Sequence, residues 1–334
     1  MSTITIKDVA KAADVAVGTV SRVLRNEGSV KPSTREHVLK VIEELNYHPN
    51  AIARQLRTQE TKTVVVIVPD IKNALFHDVL FGIESEATAN GYHVLIADMH
   101  NQPTIEMHYF SAIQQRQIDG IISMSSNMAQ KLIEQGAGEY PMVLAIQNYA
   151  KENIPCVSID NEAAAKAMMV HLIRMGYRNI AHITSSTPLL LYQDRLDSYR
   201  NNLKDHDIPV DMDLVRFGEP SIQGGYEQMM SLIASGKPID AVFAAGDTMA
   251  IGAIIALKKS GLRVPQDCAV VGFDDIELSS FWDPSLTTIR QPKVQIGRHA
   301  FRKLLSLMRK EPVLNTKEIL PHELVIRESC GYYL

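Results

Sequence analysis

Residues 5–24 read Thr-Ile-Lys-Asp-Val-Ala-Lys-Ala-Ala-Asp-Val-Ala-Val-Gly-Thr-Val-Ser-Arg-Val-Leu, which is the pattern of two short amphipathic helices joined by a tight turn. Ile6, Val9, Ala10 and Ala13 fall at i, i+3, i+4 and i+7 behind Thr5, with Asp8 three residues on as in a capping box. Val20, Val23 and Leu24 give the second segment an inward face, and Asn26-Glu27-Gly28 ends it. A third helix is expected to start at Ser33, with Glu36 in the capping position, and to bury Val38, Leu39, Val41, Ile42 and Leu45 on one stripe. Strand-like alternation is almost absent here, so residues 1–48 are expected to form a small all-α head of helix-turn-helix type.

Beyond the head, Asn50-Ala-Ile-Ala-Arg-Gln-Leu-Arg57 has the make-up of a short helix capped by Asn50, followed by a polar linker to residue 62. So short a helix is marginal in water by itself, because nucleation costs more than two turns return. From residue 63 the period changes. Apolar runs at 63–68, 92–97, 119–124, 142–146, 156–159, 179–184, 240–244 and 268–273 alternate with helical patterns, and runs hydrophobic on both faces mark buried parallel strands. Such βα repetition over residues 63–334 exceeds what one core usually organises, and it predicts an α/β body of two doubly wound parallel-sheet lobes.

The chain has 334 residues, 46% hydrophobic and 22% charged, the make-up of an ordinary globular protein. It shows no apolar stretch of spanning length, and Lys7, Asp8, Lys11 and Asp14 interrupt the region where a signal peptide needs an uncharged core, so a cytoplasmic location is expected. Cys156, Cys268 and Cys330 are too scattered for a disulfide framework or a paired-cysteine zinc site, and no metal or cofactor is expected. Residues 1–58 hold nine Lys and Arg against six Asp and Glu, a net of +3, while the whole chain carries −4, leaving −7 for the remainder. A basic head on an acidic body suits a polyanion partner for the head. Enzyme motifs are missing: no Gly-x-Ser-x-Gly elbow, no phosphate-binding loop, no His-Glu-x-x-His. The rival reading is a periplasmic-type small-molecule binder without a DNA role, against which stand the fused basic head and the missing signal peptide.

In a helix-turn-helix the second helix exposes side chains to the major groove while its other face packs on the first. With Val20, Val23 and Leu24 inward, Val17, Gly18, Thr19, Ser21, Arg22 and Arg25 form the outer side. Arg22 is the expected base reader, since a guanidinium donates two hydrogen bonds to guanine O6 and N7, and Val17 suits a thymine methyl. A three-helix bundle serving protein contacts is the alternative on this pattern alone.

Residues 5–24, together with Tyr47-His-Pro-Asn50, Asp160-Asn161, Gly246-Asp247-Thr-Met-Ala250, Gly261-Leu-Arg-Val-Pro265, Val270-Val-Gly-Phe-Asp-Asp275 and Pro284-Ser-Leu-Thr-Thr-Ile289, resemble lac repressor-type (LacI/GalR) regulators over essentially the full chain. The resemblance implies a ligand-responsive repressor that binds a pseudopalindromic operator in double-stranded DNA as a homodimer. It places a hinge at 49–62 and divides the body into periplasmic-binding-protein-like lobes, the first about 63–160 with 291–320 and the second about 161–290 with 321–334. It implies that Leu56 is the wedge pushed between base pairs by paired hinge helices, unless Leu56 packs against the lobes, and that Arg54, Arg57, Asn50 and the helix starts near Thr5 and Ser33 approach the backbone. Ala16 departs from the family, which commonly has a hydroxyl residue there. The sequence stops at Leu334 without the leucine heptad tail some family members add, so a dimer is expected over a tetramer.

For the ligand, open α/β sheets bind at the carboxyl ends of their strands, and two such sheets would face each other. Asp274, closing the run 269–273, matches the family's cleft aspartate, and Arg195 its cleft arginine; the alternative for either is an ion pair that serves only the fold. Such a pair suits a neutral polyol or heterocycle, a sugar derivative or nucleoside. Phe76 matches a position used against the ligand or is the first core residue of its helix. Gln147 and Gly246 stand where sugar-responsive members have a carboxylate and an asparagine, which counts against a lac-type galactoside. Gln291 contacts ligand or braces the crossing between lobes, and Trp282 lines the cleft mouth or packs.

Overall fold

Thr5 leaves the extended chain and α1 (Ile6–Ala12) begins at once, with the Asp8 carboxylate accepting from the Thr5 N–H at 2.8 Å and from its hydroxyl at 2.7 Å. In this computed structural model the described residues are 4–24, 26, 28–47, 60–99, 109, 111–125, 140–147, 154–187 and 189–332. The expectations for Arg25, Asn50, Arg54, Leu56 and Arg57 therefore lie outside the described residues. Helix α2 (Val17–Leu24) packs Val20 and Val23 against Val9 and Ala10 of α1 and against Val38 and Val41 of α3 (Pro32–Glu44).

Two details of α3 differ from the sequence reading. It starts at Pro32, with no side-chain cap, so Ser33 lies inside the first turn and its capping box does not form. Proline has no N–H to leave unsatisfied and its fixed φ suits the first helical position, so it sets the start. Leu39 is 48% exposed. Val38, Val41, Ile42 and Leu45 already fill the i, i+3, i+4, i+7 stripe, and position 39 lies about 100° off it.

Chain contacts divide the protein into one unit up to residue 61 and another from residue 62. The second contains strands β1 (Thr63–Val68), β2 (His93–Asp98), β3 (Gly120–Ser123), β4 (Met142–Ala145), β5 (Cys156–Ile159), β6 (Ile180–Ser185), β7 (Val215–Gly218), β8 (Ala241–Ala244), β9 (Ala269–Val271), β10 (Thr288–Arg290), β11 (Lys317–Leu320) and β12 (Glu323–Val325). Its helices include α4 (Leu75–Ala89), α5 (Asn161–Arg174), α6 (Leu190–Asp205), α7 (Ile222–Ala234), α8 (Asp247–Lys259), α9 (Glu277–Phe281) and α10 (Lys293–Met308).

One parallel sheet runs β2-β1-β3-β4-β5-β11 and a second runs β7-β6-β8-β9. The strand order reverses between β1 and β3 in the first and between β6 and β8 in the second, the switch points at which such sheets open a crevice. The chain passes from the first lobe to the second after β5 and returns between β10 and α10. It crosses again after β11, so that β12 pairs antiparallel with β10.

The run at 92–97 is not buried on both faces as its composition implies. β2 is an edge strand, and Leu95 and Ile96 are 52% and 49% exposed. Strands β7, β10, β11 and β12 escape the sequence reading because they have three or four residues and no continuous apolar run. Cys156, Cys268 and Cys330 are buried and none is in a disulfide among the described residues.

Candidate functional site

On the head, burial separates the two faces of α2. Val20 and Val23 are buried, Val17, Gly18 and Arg22 are exposed, and Thr19 and Ser21 lie between. Arg22 donates through Nε to the Gly18 carbonyl at 3.3 Å. That local bond leaves both terminal amino groups of the guanidinium without a partner among the described residues, a donor fork matched to a guanine edge. Thr5 spends its hydroxyl and its N–H on Asp8, and those bonds hold the Asp8 carboxyl below its usual range. Ser33 is exposed.

In the body, three sequence-predicted residues meet. Arg195 points from α6 into the space between strand ends and is fully buried, as are Asp274 and Gln291 within a few per cent. Arg195 Nη2 and Gln291 Nε2 both donate to Asp274 Oδ1, at 3.4 and 2.7 Å. Asn161, the first residue of α5, accepts from Arg195 Nε and Nη2 at 3.2 and 3.0 Å, and the Ala245 carbonyl accepts from Nη1 at 2.5 Å. The guanidinium lies 3.5 Å from the ring centre of Phe273, which covers its face. Burial pushes the Asp274 carboxyl up, while Arg195, Lys293 and Gln291 pull it back. The cation and anion are thus neutralised against each other with their desolvation offset by fixed bonds.

One carboxylate oxygen is left over. Asp274 Oδ2 accepts no hydrogen bond among the described residues and lies 3.5 Å from where a side chain at Gly246 would begin. Asp274 and Asp275 both have positive φ, 109° and 48°, unusual for residues with a Cβ and costly by about 1–3 kcal/mol each. The loop is held there from several sides. Arg290 and Arg327 grip the Asp275 carboxylate at 2.6 and 2.7 Å, and Lys293 donates to the carbonyls of Asp274 and Asp275 at 2.9 and 2.7 Å.

Asp247, within the motif at 246–250, buttresses the same loop. Its carboxylate accepts from Ile276 N–H, Ser279 and Thr288 at 2.9, 2.7 and 2.6 Å, tying α8 to both sides of the Asp274 loop. Burial, then the nearby Asp274, pushes its carboxyl up to about 7.

A cavity of about 360 Å³ at the ends of β6 and β7 is lined by Thr184, Ser185, Thr187, Tyr192, Gln193 and Phe217, among others. The Tyr192 ring is 5.8 Å from the Arg195 guanidinium, so cavity and ion pair share a wall. Thr184 Oγ1 is buried there with no partner among the described residues. None of these residues stands in a sequence motif, which is why the sequence reading passed over them.

The other candidates divide. Gln147 is buried, donates through Nε2 to the Met124 carbonyl at 3.2 Å, and has no partner for Oε1 among the described residues. Phe76 is buried in the core of the first lobe beside Leu75 and Val79, the packing alternative of the two open for it. Gly246 precedes α8 in extended conformation, and Trp282 packs half-buried against the core of the second lobe.

Similarity to known proteins agrees with this arrangement. Residues 5–50 match the family described as bacterial regulatory proteins, lacI family, and residues 169–330 match the periplasmic binding protein-like domain. The chain is 36% identical to catabolite control protein A of Priestia megaterium over 98% of this chain and 99% of that one. It is 37% identical to the HTH-type transcriptional repressor CytR of Escherichia coli over 97% and 96%. Among solved structures, the lac repressor dimer bound to operator and the anti-inducer ONPF superposes with a TM-score of 0.87 at 28% identity, covering 98% of this chain and 99% of that one. The transcriptional regulator CelR in its cellobiose complex does so with a TM-score of 0.73 at 29% identity, covering 98% and 99%. With its helix-turn-helix head, its two-lobed body and relatives matched along nearly their whole length, the chain belongs to the lacI family of bacterial regulatory proteins.

Proposed function

We propose that this repressor reads its operator through the outer face of α2, with Arg22 as the principal base reader, and that its effector is a small neutral polar molecule seated on Asp274 and Arg195. The observation that carries the effector reading is the unsatisfied Asp274 Oδ2 beside Gly246. Oδ2 has no protein donor among the described residues and keeps some exposure, so a ligand hydroxyl or ring N–H can reach it and donate to it in place of water. Arg195 already neutralises the charge, so a second anion such as a sugar phosphate gains no free cation there. The adjoining cavity, with its hydroxyl-bearing wall and the exposed ring of Phe217, suits a ligand with an apolar face, as in a nucleoside or a glycoside.

A homodimer is supported by the apolar surface the body leaves uncovered. Phe81 on α4 and Leu95 and Ile96 on the edge strand β2 are exposed, as are Leu278 and Phe281 on α9, Phe281 to 80%. An apolar, unpaired edge is a liability in a monomer and a natural seam between copies. The effector acts only through its differential affinity for two arrangements of the lobes, one of which favours DNA binding.

The test is a thermal-shift screen of the full-length protein against nucleosides, neutral sugars and sugar acids, repeated on Asp274→Asn. Stabilisation by a neutral compound that vanishes in the variant is expected. Preferential stabilisation by acids, or an undiminished shift in the variant, overturns the assignment.

A further inference from the structure

Lys293 is the first residue of α10, where the helix dipole disfavours a cation, and only 7% of it is exposed. Its ammonium group nevertheless meets three oxygens from two lobes. It donates to the Asp274 and Asp275 carbonyls of the second lobe at 2.9 and 2.7 Å, and it pairs with the Asp78 carboxylate on α4 of the first lobe at 3.4 Å. The positive φ of both loop residues turns two successive carbonyls toward this one cation. Nothing about the stability of α10 alone requires a buried lysine in that position.

Helices α10 and α4 pack backbone to backbone. A Cβ at Gly82 would lie 2.2 Å from the Val294 carbonyl oxygen, and one at Gly297 would lie 2.2 Å from that of Val79. The two backbones are therefore in direct contact on both sides, a packing that transmits strain from one helix to the other. The opposite face of α4 exposes Phe81. Between loop and helices is a cavity of about 330 Å³ bordered by Asp78, Asp275, Arg290, Gln291 and Lys293, which leaves room for the contacts of Lys293 to rearrange.

We infer that Lys293 is a positioning residue that couples the Asp274 loop to the α4–α10 pair, so that a change at the loop is passed through Lys293 and Asp78 to the first lobe. This rests on the reading of Asp274 as the effector residue only for its biological use. The coupling itself needs no ligand and is tested without one.

Amide hydrogen exchange of the full-length protein, read by mass spectrometry on peptides covering 273–276 and 75–82, compares Asp274→Asn in four backgrounds: wild type, Lys293→Met, Lys293→Arg and Asp78→Asn. In wild type, loss of the Asp274 charge should speed exchange in the loop and in the start of α4, by about tenfold in the loop from loss of bonds to a charged group. Lys293→Arg should preserve both responses. Lys293→Met and Asp78→Asn should keep the loop response and lose that of α4. Asp78 is half-exposed, so its variant decides the matter if Lys293→Met does not fold. A response of α4 that is undiminished in these two backgrounds, or absent in wild type, overturns the coupling, whatever the effector screen gives.

Discussion

Replacing Arg195 by methionine keeps much of the side chain's bulk and removes the cation. It deletes the bonds to Asn161, Ala245 and Asp274 and uncovers Phe273, leaving Asp274 ionised and nearly out of reach of water. Breaking a buried pair from one side costs about 3–5 kcal/mol. For a unit of this size that lowers the melting temperature by about 10 °C. The variant also gains a pH dependence of known sign. Burial already raises the Asp274 carboxyl above its unfolded value, and loss of Arg195 raises it further. Stability from a raised carboxyl is full below the unfolded pKa and lost as pH rises through the folded one, so the deficit against wild type should shrink from pH 7.5 to pH 5.5. The single tryptophan, Trp282, packs against the core of the same lobe and reports its unfolding in urea. Adding Asp274→Asn to Arg195→Met should recover part of the loss, since neither member of the pair is then left as a buried charge without its partner. A deficit below about 1 kcal/mol at pH 7.5, or one that grows on acidification, would show that the pair is not the electrostatic centre described.

Arg22→Ala should weaken binding to an operator fragment selected from random DNA by about 1–3 kcal/mol at fixed salt, measured by fluorescence anisotropy, with little effect on non-specific DNA. An equal loss on both would make Arg22 a phosphate contact. Gly225→Ala should cost about 1–3 kcal/mol in urea unfolding, because its Cβ would sit 2.1 Å from the Met249 carbonyl oxygen and force α7 from α8. His182, stacked between Tyr199 and Phe243 and pushed down to about 4 by burial, contributes stability that is full above about 6.5 and lost as pH falls toward 4, by up to about 3 kcal/mol. His182→Phe should flatten that part of the stability profile, and an unchanged slope counts against a buried neutral imidazole.

Local order is legible in the residues themselves, because it depends on neighbours along the chain. The stripe Ile6, Val9, Ala10, Ala13, the Thr5–Asp8 cap, the inward face of α2 and the alternation of apolar runs with helices are periodicities, and a periodicity is complete within one element. The same logic fails where a second influence acts. Pro32 overrode Ser33 as the start of α3, and the edge position of β2 left exposed an apolar run that composition reads as buried. Arg195, Asp274 and Gln291 were legible through family motifs, each separately. Nothing along the chain tells that Asn161, Arg195, Asp247, Asp274, Gln291 and Lys293 form one network, in which Asp274 Oδ2 has no protein donor among the described residues. The physical reason is that parallel sheets bring together the ends of strands far apart in sequence, and the state of a buried charge is set by all the groups around it at once.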